Sequence, residues 1–232
     1  MAMVKLQLPR AKRPMTIIVC IPGSNFSGNF LECWSEFLKR GTIEGINLRL
    51  SHSEDAVVYY ARNKALGGNV LSGIHQKPFG GAIDYDYLLW IDSDIIFSYD
   101  HFKKLLAWDM DIVSGLYLMK GGRQFATVVD WDVEFFKKNG YFQFLTPADV
   151  KSKTGLIDVA YTGFGFMLVK YGVFESLLYP WFRPEWQDMG GEVQDFSSED
   201  VSFCQTIRKK GYKIFVDPAV VVGHEKRVVL LP

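Results

Sequence analysis

The sequence predicts an α/β domain: a mostly parallel central sheet flanked by helices, with a small antiparallel section in its second half. Three observations predict it. Strand-like apolar runs alternate with helix-like amphipathic stretches through residues 15–118, an order that requires crossover connections. The run Tyr87–Ile91 is apolar without interruption, as in strands buried on both faces. The chain has 232 residues, 48% hydrophobic and 22% charged, which is enough for one well-filled core and too apolar for disorder.

The elements follow in order. Residues 1–14, with Lys5, Arg10, Lys12 and Arg13, read as a loose basic tail. The apolar run Thr16–Ile21 is too short for a secretory core and ends in Pro22-Gly23 rather than at a small-x-small cleavage site, so it reads as the first buried strand. A Gly/Ser/Asn-rich loop from Gly23 leads into an amphipathic helix at Leu31–Leu38, stopped by Arg40-Gly41. Asn47–Leu50 alternates as a short strand, and Ala56–Leu66 has helical spacing with a Gly67-Gly68 terminus. Beyond Tyr87–Ile91, Asp100 is expected to cap a helix over His101–Trp108, and Ile112–Leu118 is a further strand. Phe125–Phe144 reads as short aromatic strands turning at Asn139-Gly140, a hairpin signal. Tyr179–Ser197 is irregular, Ser198 caps a helix over Glu199–Lys210, and strands at Tyr212–Val216 and Ala219–Val222 flank an Asp217-Pro218 turn. No repeat or linker divides the chain, so residues 15–232 are expected to form one domain.

Composition excludes several functions. Lys plus Arg and Asp plus Glu each total 26, so the formal charge is zero and gives no electrostatic footprint for nucleic acid or an anionic membrane. No apolar stretch is long enough to span a bilayer. Three widely spaced cysteines, Cys20, Cys33 and Cys204, argue against a disulfide framework or a cysteine zinc site and fit a reducing, cytoplasmic compartment. There is no phosphate-binding G-x-x-x-x-G-K-[ST] and no G-x-S-x-G nucleophile turn, and Gly163-Phe-Gly165 lacks the third glycine of a dinucleotide fingerprint.

Chemistry concentrates at three places. Four D-x-D spacings occur, but only Asp92-Ser93-Asp94 follows a buried strand, at the carboxyl edge where open α/β sheets bind ligands. Two carboxylates there suit a hard cation such as Mg2+ or Mn2+, or a nucleotide; a polar turn closing the sheet is the alternative. Asp200, in Ser198-Glu199-Asp200 at a helix start, is either a simple capping acid or a base for a hydroxyl nucleophile. His224 follows the last strand-like run, where it is either structural or a ligand joining the carboxylate pair. Arg62 pairs with phosphate or is solvated, and Trp181, Phe182 and Trp186 stack on sugar rings or pack the loop.

In order, the segments TIIVCIPGSN, ARNKAL, YLLWIDSDIIF, YTGFGFMLVKYGVFE and SSEDVSFCQTIRKKGYKIFVDPAVVVGHEK resemble a family 2-type glycosyltransferase of GT-A fold, from Met15 to about Lys226. The resemblance implies metal-dependent transfer of a sugar from a nucleotide-sugar donor, most often a UDP-sugar, to a hydroxyl of a glycan or other acceptor. It assigns residues 15–98 to a nucleotide-binding half and 99–232 to an acceptor-binding half. By position, Asp92 contacts the ribose or the metal, Asp94 and His224 ligate Mn2+ or Mg2+, and Asp200 is the general base of an inverting reaction. Pro22, Gly23, Ser24 and Arg62 line the nucleoside and phosphate site, and Glu54-Asp55 lies where the family often reads the base. The Q-x-x-R-W motif of processive synthases is absent, which favours addition of one sugar at a time. A retaining transferase, a nucleotidyltransferase and a non-catalytic carbohydrate-binding protein are the competing readings.

Overall fold

The computed structural model describes residues 13–226, so the basic tail lies outside it except for Arg13 and Pro14. The Arg13 guanidinium pairs with Asp86 at 3.0 Å. The elements are β1 (Thr16–Pro22), α1 (Gly28–Ile43), β2 (Asn47–Ser53), α2 (Val58–Ala65), β3 (Tyr87–Ile91), β4 (Ile95–Ile96), α3 (Tyr99–Ala107) and β5 (Ile112–Leu116). They continue with β6 (Thr127–Val128), α4 (Val133–Asn139), α5 (Pro147–Val150), β7 (Ile157–Asp158), β8 (Tyr161–Thr162) and β9 (Phe166–Lys170). The last are β10 (Glu185–Asp188), β11 (Gln194–Ser197), α6 (Glu199–Lys209), β12 (Phe215–Val221) and β13 (Gly223–His224).

A seven-stranded sheet in the order β2-β1-β3-β9-β5-β12-β7 forms the middle layer. Strands β1, β2, β3, β5 and β12 run one way, and β9 and β7 run the other. The side-chain period of two sends Ile17, Val19, Leu89 and Ile91 to one core, with Phe37 of α1 and Phe102 of α3. It sends Ile18, Cys20, Leu88 and Trp90 to the other, with Ala65 of α2 and Phe203 of α6. Both faces are covered, which is why β1 and β3 read as unbroken apolar runs.

Five local expectations are corrected. Strand β9, absent from the simple alternation, inserts antiparallel between β3 and β5. Ser98, not Asp100, caps α3, accepting the His101 N–H at 3.2 Å. Asn139-Gly140 is no hairpin turn; Gly140 ends helix α4 in the left-handed conformation, and β6 pairs instead with β8. Within the segment expected to be irregular, β10 and β11 form an antiparallel hairpin. The Asp217-Pro218 pair lies inside β12, at a break in its register with β5, because proline removes a ladder donor.

The chain runs from β1 out to β2 and then back across to β3, so the strand order reverses between β1 and β3. Ligands bind at such a switch point, outside the carboxyl ends of the strands. Gly23, at φ +120°, brings the loop after β1 against the loop after β3: a Cβ there would stand 2.5 Å from Ser93 Oγ. Gly163 and Gly165 lead into β9 at the same edge and make room for Tyr117. A Cβ at Gly165 would lie 2.6 Å from the Tyr117 ring, which is buried. Gly165→Ala is therefore expected to destabilise the protein by about 1–3 kcal/mol through overpacking. Gly28, with no atom near its missing Cβ, should accept alanine without loss. Urea unfolding midpoints of the two variants check both statements.

Candidate functional site at the carboxyl edge of the sheet

Asp92-Ser93-Asp94 emerges directly from β3, and β4 then pairs antiparallel with β13 in the register His224↔Ile95. That pairing places His224 beside Asp94. The imidazole Nε2 stands 3.1 Å from Asp94 Oδ2, while Nδ1 bonds the Leu118 carbonyl, just beyond β5, at 2.6 Å. The Tyr117 ring meets the imidazole edge-on at 5.1 Å. A bond from Nδ1–H to a backbone carbonyl fixes the ring so that Nε2 faces Asp94. Lys226 Nζ donates to the same Asp94 oxygen at 2.6 Å. Burial opposes charge on Asp94, yet the hydrogen bonds from His224 and Lys226 outweigh it and hold the carboxyl at about 2. Burial disfavours the imidazolium, but Asp94 and the Leu118 carbonyl raise His224 above its ordinary value.

Asp92 turns the other way. Arg62 Nη2 lies 3.0 Å from its Oδ1, and Arg62 Nε donates to Glu199 Oε1 at 3.1 Å. The Arg62 residue is only 3% exposed, so it sits beneath Asp92 rather than lining an open phosphate site as expected. Burial raises the Asp92 carboxyl, Arg62 pulls it back, and the charges of Asp94 and Asp200 push it up again. Of the three residues expected to form a metal set, Asp94 and His224 stand side by side, while Asp92 is paired with Arg62. Among the described residues no three His, Cys, Asp or Glu side chains group to hold a metal ion.

Asp200 opens helix α6 from its first turn. Its Oδ2 accepts the Tyr161 hydroxyl at 2.9 Å, and its Oδ1 accepts the Val201 N–H at 2.8 Å and the Ser198 hydroxyl. Ser198 occupies the cap position, but its side chain serves Asp200 instead of the helix N–H groups. Pro22 ends β1 buried, Gly23 abuts Ser93, and Ser24 is exposed beside them. Beyond that loop, Asn29 donates to Glu225 at 2.6 Å and the Glu225 N–H donates to the Asp94 carbonyl at 2.8 Å. These bonds tie the start of α1 and the segments after β3 and β13 into one rim. Asp55 is engaged by Lys64 at 2.6 Å. Trp181 and Phe182 pack inside the core, leaving Trp186 as the exposed aromatic of the three.

Glu199, Tyr161 and Lys226 belong to the site and were not singled out by the sequence. Glu199 resembles an ordinary first-turn acid, and the one available signal was an arginine one turn into the chain's second helix with no acid nearby on the same helix face.

The fold is GT-A-like. No known family's sequence profile matches the chain, and no characterised protein matches it in sequence. In structure it is similar to A197 from STIV, with a TM-score of 0.52 and 17% identity over 94% of this chain and 97% of that one. It is also similar to GalNAc-T7, solved with UDP, GalNAc and Mn2+, with a TM-score of 0.52 and 13% identity over 92% of this chain. The match covers 43% of the GalNAc-T7 chain, less than half its length. At these identities the likeness establishes the fold.

The Asp94–His224 pair carries a pH signature. Because folding raises the His224 value above 6.5, its contribution to stability is complete below that pH and fades as pH rises through the raised value. Asp94 stays ionised throughout that window, since its own loss comes only as pH falls toward about 2. In EDTA, the stability lost in His224→Ala should be larger at pH 5.5 than at pH 8.5. Paired denaturant titrations measure the difference; an equal loss at both pH values contradicts the pairing.

Proposed function

We propose that the protein is a glycosyltransferase that moves a sugar from a nucleoside diphosphate donor, UDP-linked in the first instance, to an acceptor hydroxyl. The observation that carries this reading is the Asp94–His224 pair, seated where the sheet order reverses, with the imidazole locked by the Leu118 carbonyl. A carboxylate oxygen and an imidazole nitrogen 3.1 Å apart suit a divalent ion that takes its remaining ligands from diphosphate oxygens and water. Asp94 and His224 would hold that ion, Mn2+ or Mg2+. Once bound, it would neutralise charge building on the departing diphosphate.

The remaining roles fall to this chain's own side chains. Asp92, steadied by Arg62, faces the donor's ribose. Pro22, Gly23 and Ser24 border the nucleoside, and the narrow seam at Gly23 lets backbone approach it closely. Residues 15–98 supply this donor side, and residues 99–232 supply Asp200 and the acceptor side. Asp200 accepts the proton of the acceptor hydroxyl as that oxygen bonds to the anomeric carbon and the carbon–phosphate-oxygen bond breaks. Attack from the face opposite the diphosphate inverts the configuration. A carboxylate has four lone-pair sites, so Asp200 retains capacity beyond its bonds to Tyr161, Val201 and Ser198. The described residues hold no helix long and apolar enough to cross a membrane, and Cys20, Cys33 and Cys204 are unpaired. A reducing, cytoplasmic setting completes the reading.

The first test is a thermal-shift panel of nucleoside diphosphates, each with Mn2+ and with EDTA. UDP at a hundredfold excess over its Kd should stabilise by about 2.7 kcal/mol with Mn2+ and far less in EDTA. Indifference to every nucleotide, with or without metal, contradicts the reading. The second is Asp200→Asn, which should keep that stabilisation while losing transfer by about 10²–10⁴-fold. Unchanged turnover removes Asp200 from the base role.

A further inference from the structure

Arg62 reaches across the molecule. It projects from α2 and joins Asp92, on the loop after β3, to Glu199, the first residue of α6. The rings of Phe164, Trp90 and Phe182 wall it in, with centroids 5.2, 5.7 and 5.9 Å from the guanidinium carbon. Glu199 is itself 7% exposed. Among the described residues, Arg62 Nη1 finds no hydrogen-bond partner. A buried ion triad gains little stability over apolar residues of the same volume, and unpaired polar atoms add a cost. Stability alone therefore does not account for it.

Geometry does. Glu199 and Asp200 are successive residues in the first turn of α6, and their side chains diverge. Glu199 turns inward onto Arg62, while Asp200 turns to Tyr161 and the Ser198 hydroxyl. The other end of the same guanidinium grips the loop that carries Asp94. One side chain thus links the loop after β3 to the first turn of α6, whose spacing any reaction at this edge must hold fixed.

We infer that Glu199 is a positioning residue: its ion pair with Arg62 holds Asp200 at a set place relative to the Asp92–Asp94 loop. The catalytic consequence rests on the glycosyltransferase reading; the restraint on α6 does not. Two readouts keep them apart. The first is amide hydrogen exchange of the metal-free protein over residues 197–204. Glu199→Ala should speed exchange at Val201 and Ser202 by about tenfold or more, through local opening of the turn. Glu199→Gln, whose amide oxygen still accepts from Arg62 Nε, should stay within about threefold of the parent, and Glu199→Asp should fall between. If the alanine variant does not fold, the gap between the aspartate and glutamine variants makes the same comparison. Parent-like exchange in both the alanine and aspartate variants overturns the inference, whatever the activity.

The second readout is UDP release from a panel of UDP-hexoses with Mn2+. Glu199→Ala should lower kcat by about 10–100-fold while the Kd for UDP stays within about twofold, with Glu199→Gln recovering most of the loss. Made in an Asp200→Asn background, the same substitution should cost less than about twofold, because the two residues act as one unit. An undiminished loss in that background overturns positioning through Asp200 and leaves a structural role. A parent protein that releases no UDP from any donor counts against the functional reading, and the exchange result then decides the restraint by itself.

Discussion

A carboxylate at the end of a strand buried on both faces needs a cation, and Arg62 supplies it to Asp92 from beneath. The arginine has to be buried to do this, and a buried guanidinium with a single carboxylate leaves its other donors facing aromatic rings. Glu199 takes one of them. From this one demand follow the inward turn of Glu199 and the separation of Asp92 from Asp94. Adjacent in motif, the two carboxylates are opposite in environment. One is neutralised by a buried arginine, and the other is held ionised by His224 and Lys226 at the rim.

The sheet makes the rim possible. Every loop that contributes to it leaves the same edge: Gly23 after β1, Asp92 to Asp94 after β3, Tyr117 and Leu118 after β5, and His224 after β12. Strand β9 runs against them, so its entrance, with Gly163 and Gly165, lies at that edge as well. Those glycines are spacing devices for the Tyr117 ring, which in turn supports the His224 imidazole. A G-x-G that fails as a dinucleotide fingerprint therefore still bears on the site, through packing rather than phosphate.

Much of this was legible in the sequence. Continuous apolar runs identified β1 and β3 because both faces of those strands are covered, and the carboxyl-edge rule separated Asp92 and Asp94 from three other D-x-D spacings. Asp86 and Asp109 indeed lie at the opposite edge, on Arg13 and on Lys170. What stayed hidden depends on contacts distant in sequence. The Arg62–Glu199 pair joins residues 137 apart, and neither residue type is unusual in a helix. The hairpin expectation at Asn139-Gly140 failed because glycine with positive φ serves a helix terminus as readily as a two-residue turn. Tyr161, buried in a two-residue strand, carried no periodic signal at all.

The account depends most on Asp94 and His224 acting together on a divalent ion completed by a diphosphate. Pulsed electron paramagnetic resonance of Mn2+ in the presence of UDP reads this directly, through the coupling of a coordinating imidazole nitrogen to the metal. The account predicts nitrogen coupling in the parent protein and its loss in His224→Ala. Mn2+ and UDP bound together without that coupling would contradict it.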